Sequence, residues 1–307
     1  MKNMRLSSVL IMIGLALIGY GQGVPFVNYL SDARSAAMGY SGYADESPFA
    51  VQRNAAVMML RQAPSTQLAA SLLLWQPQMA DNKLINIAGY TRSGKIGFGA
   101  GMRYNSFPSV KITDFQGNIT GDLTPREMVA EVGAGFNLHE SLSLGANLRY
   151  IYSDLGGLKK ASAFAADISA LFQPSDNLNL SAGIGSVGTA VDYGEGKSDL
   201  PTRIQTGVAY KLLKTDLHQL NAVADLGYQL AGINAGVIAG AGAEYTYREL
   251  VSLRTGYHYE TEKAGPSFAS VGAGLHLFGF TLDLAYMLTP QGAPMQQTML
   301  VSLRWKR

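Results

Sequence analysis

The residues that could do chemistry are few and badly placed for it. Four histidines are present, His139, His218, His258 and His276, and there is no cysteine, so thiolate nucleophiles, cysteine metal sites and disulfides are excluded. His139 and His218 fall beside short turns, whereas His258 and His276 are predicted to face one side of neighbouring strands. Two imidazoles could share a metal ion, but no HxH or HExxH spacing accompanies them, and no metal site is expected. Ser270 and His276 offer a nucleophile and a base, yet they stand six residues apart on one extended segment, about 20 Å at strand rise. No catalytic residue is therefore assigned. The glycine-rich stretches Gly94 to Gly101 and Gly236 to Gly242 lack the strand, loop and helix context of a phosphate cradle, so no cofactor is expected either.

What must position these side chains is a long series of strands. Fourteen segments of alternating character follow one another from Gln67 to Trp305. In Ser141 to Tyr152, Leu142, Leu144, Ala146, Leu148, Tyr150 and Tyr152 share one face, and Ser143, Gly145, Asn147 and Arg149 share the other. Short connections such as Ser93-Gly94, Leu138 to Glu140 and Arg248-Glu249-Leu250 alternate with longer ones such as Phe107 to Pro125 and Gly188 to Pro201. That parity belongs to barrels with short turns on one side of a membrane and long loops on the other. The fold class predicted is all-β, a 14-stranded antiparallel transmembrane β-barrel over residues 66–307.

The inward face then carries charges of both signs, with Arg103, Glu131, Arg149, Asp167, Glu244 and Arg254 as candidate lumenal groups and Asp225, His258, Asp283 and Arg304 beside them. They make either a polar conduit or a salt-bridged interior. Tyrosines such as Tyr150, Tyr228, Tyr257 and Tyr286 lie on the outward face near strand ends, as aromatic girdles do.

Ahead of the barrel, Lys2 and Arg5 precede an apolar run from Leu6 to Ile18 and the small residues Gly19 and Gly21, which predicts a signal peptide over residues 1–21. The whole chain has 24 basic and 22 acidic residues. Losing Lys2 and Arg5 would equalise them, so no basic field for nucleic acid exists. Residues 22–65 show no strand alternation. Arg34 to Met38 and Ala50 to Arg61 read as short helical pieces, and the apolar run Ala55, Ala56, Met58, Met59 and Leu60 suits a plug packed inside the barrel.

The segment Asp32-Ala33-Arg34-Ser35-Ala36-Ala37-Met38-Gly39, followed by Asn54-Ala55-Ala56, resembles the N-terminal motif of the PorV/PorQ family, which is related to the FadL transporters. Arg103-Tyr104, Ile112-Thr113-Asp114, Gly117-Asn118 and Leu148-Arg149-Tyr150-Ile151-Tyr152-Ser153-Asp154-Leu155 are closer to the PorV side. Ala55 departs from the proline usual in that family's Asn-Pro-Ala, and the chain is shorter than the best-known PorV proteins. The resemblance marks Asp32, Arg34, Met38, Gly39, Asn54 and Ala56 as family-motif residues of the plug. It implies a non-enzymatic barrel in the outer membrane, in contact with its lipids. Its partners would be type IX secretion-system subunits and cargo C-terminal signal domains. The alternative is a FadL-like transporter of hydrophobic small molecules, which would need a continuous apolar pocket beneath the long loops.

Overall fold

The computed structural model describes residues 24–29, 32–76, 82–116, 118–194, 196–230, 235–261, 266–293 and 295–307. The signal peptide predicted over residues 1–21 lies outside them, as does Gly117 of the resemblance.

Eighteen strands follow in chain order among the described residues. They are β1 (Thr66–Trp75), β2 (Asn82–Ser93), β3 (Ile96–Ser106), β4 (Val110–Thr113), β5 (Ile119–Leu123), β6 (Arg126–His139), β7 (Leu142–Asp154), β8 (Lys160–Phe172) and β9 (Leu178–Gly188). The others are β10 (Val191–Asp192), β11 (Lys197–Ser198), β12 (Arg203–Lys214), β13 (His218–Gln229), β14 (Gly236–Tyr247), β15 (Val251–Glu260), β16 (Phe268–Leu277), β17 (Phe280–Leu288) and β18 (Met299–Lys306).

Fourteen of them form one closed antiparallel barrel, in which β1 pairs with both β2 and β18. Closure leaves no strand edge unpaired, which is how a β fold avoids exposing a row of backbone donors and acceptors. The remaining four correct the sequence reading of two long connections as irregular. Residues 107–125 contain the hairpin β4–β5, and residues 188–201 contain the two-residue pair β10–β11. At the opposite end the turns are tight. Arg248 and Glu249 both take positive φ (53° and 52°), as do Phe278 and Gly279 (52° and 82°), the geometry that matches hairpin twist. One wall irregularity matters below: Gly185 and Ser186 of β9 together oppose Asp167 of β8, a β-bulge with Ser186 at φ 58°.

The facing assignments hold. In β7, Ser143, Gly145, Asn147 and Arg149 are buried while Leu144, Ala146, Leu148 and Tyr150 are exposed. Around the outside, Leu68, Ile87, Phe98, Val132, Phe164, Ile168, Leu226 and Leu253 belong to a wide apolar surface. No helix among the described residues is long and apolar enough to cross a membrane.

Residues 24–29 and 32–63 pack against the inner face of the strands. A 3-10 turn (Pro25–Asn28) leads to α1 (Ala33–Ala37), then α2 (Ala50–Arg53) and a second 3-10 turn (Ala55–Met59). Asp32 caps α1 by accepting from the Arg34 amide at 3.1 Å, and Gly39 at φ +70° turns the chain away after it. The sequence reading expects one helical piece from Ala50 to Arg61. It breaks at Asn54, whose side chain accepts from the Ala56 amide at 3.0 Å and donates to the Tyr43 carbonyl at 2.7 Å. An asparagine that takes up local backbone groups ends one helix and caps the next. Wall glycines make room for this segment. A Cβ at Gly256 would overlap the backbone of Met38 and Gly39, and one at Gly145 that of Ala55 and Ala56.

Leu148→Arg places a guanidinium on the apolar outer surface at the midpoint of β7. It is expected to cost about 2–4 kcal/mol in lipid vesicles, measured by denaturant unfolding of the refolded barrel. An unchanged midpoint would contradict the facing assignment.

Candidate functional site

Antiparallel register puts opposite charges directly across from one another. Glu131 of β6 pairs in register with Arg149 of β7, and Glu244 of β14 with Arg254 of β15. Each pair seeds a buried cluster. In the first, Arg103 on β3 and Arg149 flank Glu131, and Arg149 also pairs with Asp167 on β8. Both arginines reach the inner segment as well. Arg103 donates to the Val27 carbonyl at 2.7 Å and Arg149 to the Gln52 carbonyl at 2.7 Å.

In the second cluster, Arg34 of α1 donates through Nε and Nη2 to Glu244 at 2.9 and 2.8 Å and pairs with Asp45 at 2.7 Å. Arg254 bridges Glu244 and Asp283 at 2.5 and 2.7 Å, and Arg304 closes on Asp283 at 2.5 Å. Burial alone would pull the Arg34 guanidinium down, but Asp45 and Glu244 hold it well above the usual arginine value. It stays charged wherever the barrel is folded.

Of the candidate residues, the structure thus gathers Arg103, Glu131, Arg149 and Asp167 in one cluster, and Arg34, Glu244 and Arg254 in the other. The remaining motif residues hold the segment's shape. Met38 is fully buried against Gly242 and Gly256. The Gly39 amide donates to Ser270 Oγ at 3.0 Å, and Ala56 sits beneath Gly145 with its amide 3.4 Å from Ser169 Oγ.

The histidines do not converge. His258 Nδ1 lies 3.2 Å from the Gly39 carbonyl and its Nε2 2.7 Å from Glu260, at the long-loop end of β15. His276 lies at the short-turn end of β16, between Ser252 Oγ (2.8 Å) and Thr281 Oγ1 (3.1 Å). Ser252, which sequence spacing did not single out, is fully buried, and the third group is a hydroxyl rather than a carboxylate. The pair has the distance of a nucleophile and its base but neither the orienting acid nor substrate access.

Space inside the barrel lies towards both of its ends. A cavity of about 290 Å³ lies beneath those connections, walled by Tyr29, Tyr40, Phe49, Trp75, Phe268 and Met295. Tyr29 packs on Trp75 with ring centres 5.2 Å apart, and Tyr40 meets Phe268 edge-on at 5.1 Å. Burial pushes the Tyr29 phenol up to about 12 and the Tyr40 phenol higher still, so both remain neutral. A polar pocket of about 450 Å³ occupies the short-turn end, lined by Arg34, Asp45, Glu46, Lys211 and Arg304. Asp32, Tyr40 and Tyr43 line the first space and Arg34, Asp45 and Glu46 the second, so residues 32–46 lie between the two.

The lumen carries the charges the sequence reading expects, and beneath the long connections it adds an apolar wall. The apolar wall comes from residues dispersed over the chain, among them Tyr29 of the inner segment, Trp75 at the end of β1 and Met295 in the last long connection. No periodicity links them.

No protein-family model and no curated protein matches the chain. Solved structures do. The toluene transporter TbuX of Ralstonia pickettii superposes with a TM-score of 0.63 at 15% identity, covering 89% of this chain and 97% of that one. The toluene transporter TodX of P. putida gives 0.62 at 14%, covering 90% and 98%. A FadL homologue of Pseudomonas aeruginosa gives 0.57 at 11%, covering 89% and 97%. The chain shares the FadL-type barrel fold along nearly the whole length of these proteins. The specific PorV/PorQ assignment receives no support from them.

Glu244→Gln leaves Arg34 and Arg254 facing one another across a neutral amide. Breaking one member of a buried pair is expected to cost about 3 kcal/mol, read as a lowered unfolding midpoint together with faster proteolysis between residues 32 and 60. Wild-type protease resistance in this variant would contradict the anchoring role of the cluster.

Proposed function

We propose that the chain is a non-enzymatic outer-membrane barrel that admits small hydrophobic molecules from the long-loop side. Residues 22–65 serve in it as a plug. The observation that carries this reading is the cavity beneath the long connections, whose aromatic wall a solid salt-bridged interior would lack. The barrel likeness to toluene transporters over almost their full length supports the same reading. The apolar outer surface supports membrane placement, because so continuous a patch is not left in water by a soluble monomer. Tyr210, Tyr228, Tyr257 and Tyr286, exposed on that surface, suit its interfacial borders.

A second reading rests on a different observation. The β4–β5 hairpin carries Val110, Ile112, Phe115 and Ile119 exposed above the barrel. Such a surface fits recognition of a partner, which the PorV/PorQ resemblance would make a type IX secretion-system subunit or a cargo C-terminal signal domain.

The two readings part on one experiment. Ser302 Oγ accepts from the Ala33 amide at 2.9 Å, so cysteines at positions 33 and 302 would tie the plug to β18 in a chain without other thiols. Cells making the chain should take up radiolabelled toluene faster than cells without it. Oxidising the Ala33→Cys, Ser302→Cys variant should remove that gain, and reduction should restore it. Uptake untouched by the cross-link, with partner capture lost on deleting residues 109–123, would transfer the assignment to recognition.

A further inference from the structure

The aromatic cavity is lined by four carboxylates and four arginines, and seven of these eight have partners. Asp32 accepts from the Arg34 amide and Ser35 Oγ. Asp167 holds Arg149, and Arg103 holds Glu131. Asp225 meets Arg53 at 3.2 Å and also accepts from the Tyr43 amide and Gln205. Glu260 is taken by His258 at 2.7 Å. Arg203, at the start of β12, is the one left over. Among the described residues it makes no side-chain hydrogen bond and has no carboxylate within 4.0 Å, and its Nε is fully buried without a partner.

Arg203 is half-buried with its Nε enclosed, and a guanidinium held there without a partner gains from acquiring one. Among the described residues each carboxylate facing the cavity already holds another group, so none of them supplies the partner. It can come from a ligand. The geometry points to a binding site for a small aromatic carboxylate, its ring against the Tyr29, Tyr40, Phe49, Trp75 and Phe268 surfaces and its carboxylate on the Arg203 guanidinium. Guanidinium and carboxylate match in planar, two-pronged geometry, and the charge-assisted bond is strongest where water is excluded. The volume of about 290 Å³ suits one ring rather than a long chain, being at the lower end of small-molecule sites. A neutral arene would fill the same aromatic surface and leave Arg203 bare. This inference rests on the small-molecule reading of the cavity and narrows it from hydrophobic molecules in general to single-ring anions.

Toluene and benzoate differ by a methyl group against a carboxylate, and benzamide keeps benzoate's shape without its charge. Titration calorimetry of the detergent-solubilised full barrel with each should show benzoate binding at least about tenfold tighter than the other two, the worth of one charge-assisted contact. Arg203→Gln should erase that preference, Arg203→Lys should keep part of it, and Lys95→Gln, at an exposed turn on the far side, should leave it intact. The comparison of the three ligands on the wild-type protein stands even if Arg203→Gln fails to assemble. Toluene or benzamide binding as tightly as benzoate, or a benzoate preference that survives Arg203→Gln, would overturn the inference and leave the transport reading in place. No binding by any of the three would overturn both.

Discussion

Pairing of every backbone donor and acceptor around a closed ring is the constraint from which the remaining structure follows. Once β1 joins β18, each strand has two neighbours and its register is fixed on both sides. A slip of one residue would turn every inward side chain outward. The register that keeps leucine and phenylalanine outside also sets Glu131 opposite Arg149 and Glu244 opposite Arg254. The lumenal charges are therefore arranged by the same hydrogen bonds that close the wall.

Those charges do more than neutralise one another. Arg103 and Arg149 each spend one guanidinium edge on a carboxylate and another on a backbone carbonyl of the inner segment, Val27 and Gln52. Arg34 makes the reverse connection, from the segment to the wall. Wall glycines allow the backbone of residues 38–39 and 55–56 to approach so closely that side chains at Gly145 or Gly256 would collide with it. Close approach and ion pairing act together, because desolvation of the charges by the packed segment is what makes each pair intolerant of losing a partner. Among the described charges that line the cavity, Arg203 is the exception, with no side-chain partner.

The barrel was legible in the sequence because alternation is a local property, readable within ten residues and repeated fourteen times. The short turns were legible for the same reason. Asn54 was read as part of a conserved-looking motif rather than as a helix break, since its effect depends on reaching Tyr43 eleven residues back. The β4–β5 hairpin was missed because four- and five-residue strands carry too little alternation to stand out. The cavity was missed because its walls come from the inner segment, a strand end and the last loop, brought together only by closure. The PorV/PorQ resemblance lives in short motifs between Asp32 and Asp167, whereas the likeness to toluene transporters is one of backbone path at 14–15% identity. The two are compatible at the level of a FadL-type fold and diverge only on what the long-loop end engages.

If residues 32–46 partition the lumen between its two spaces, the barrel is closed to hydrated ions. Single-channel current across a planar bilayer holding the refolded wild-type protein tests this directly. The account expects no steady conductance, only rare brief openings. A sustained open-pore current at low voltage would show that the segment does not block the lumen, and the proposed route through an aromatic cavity above a closed partition would have to be abandoned.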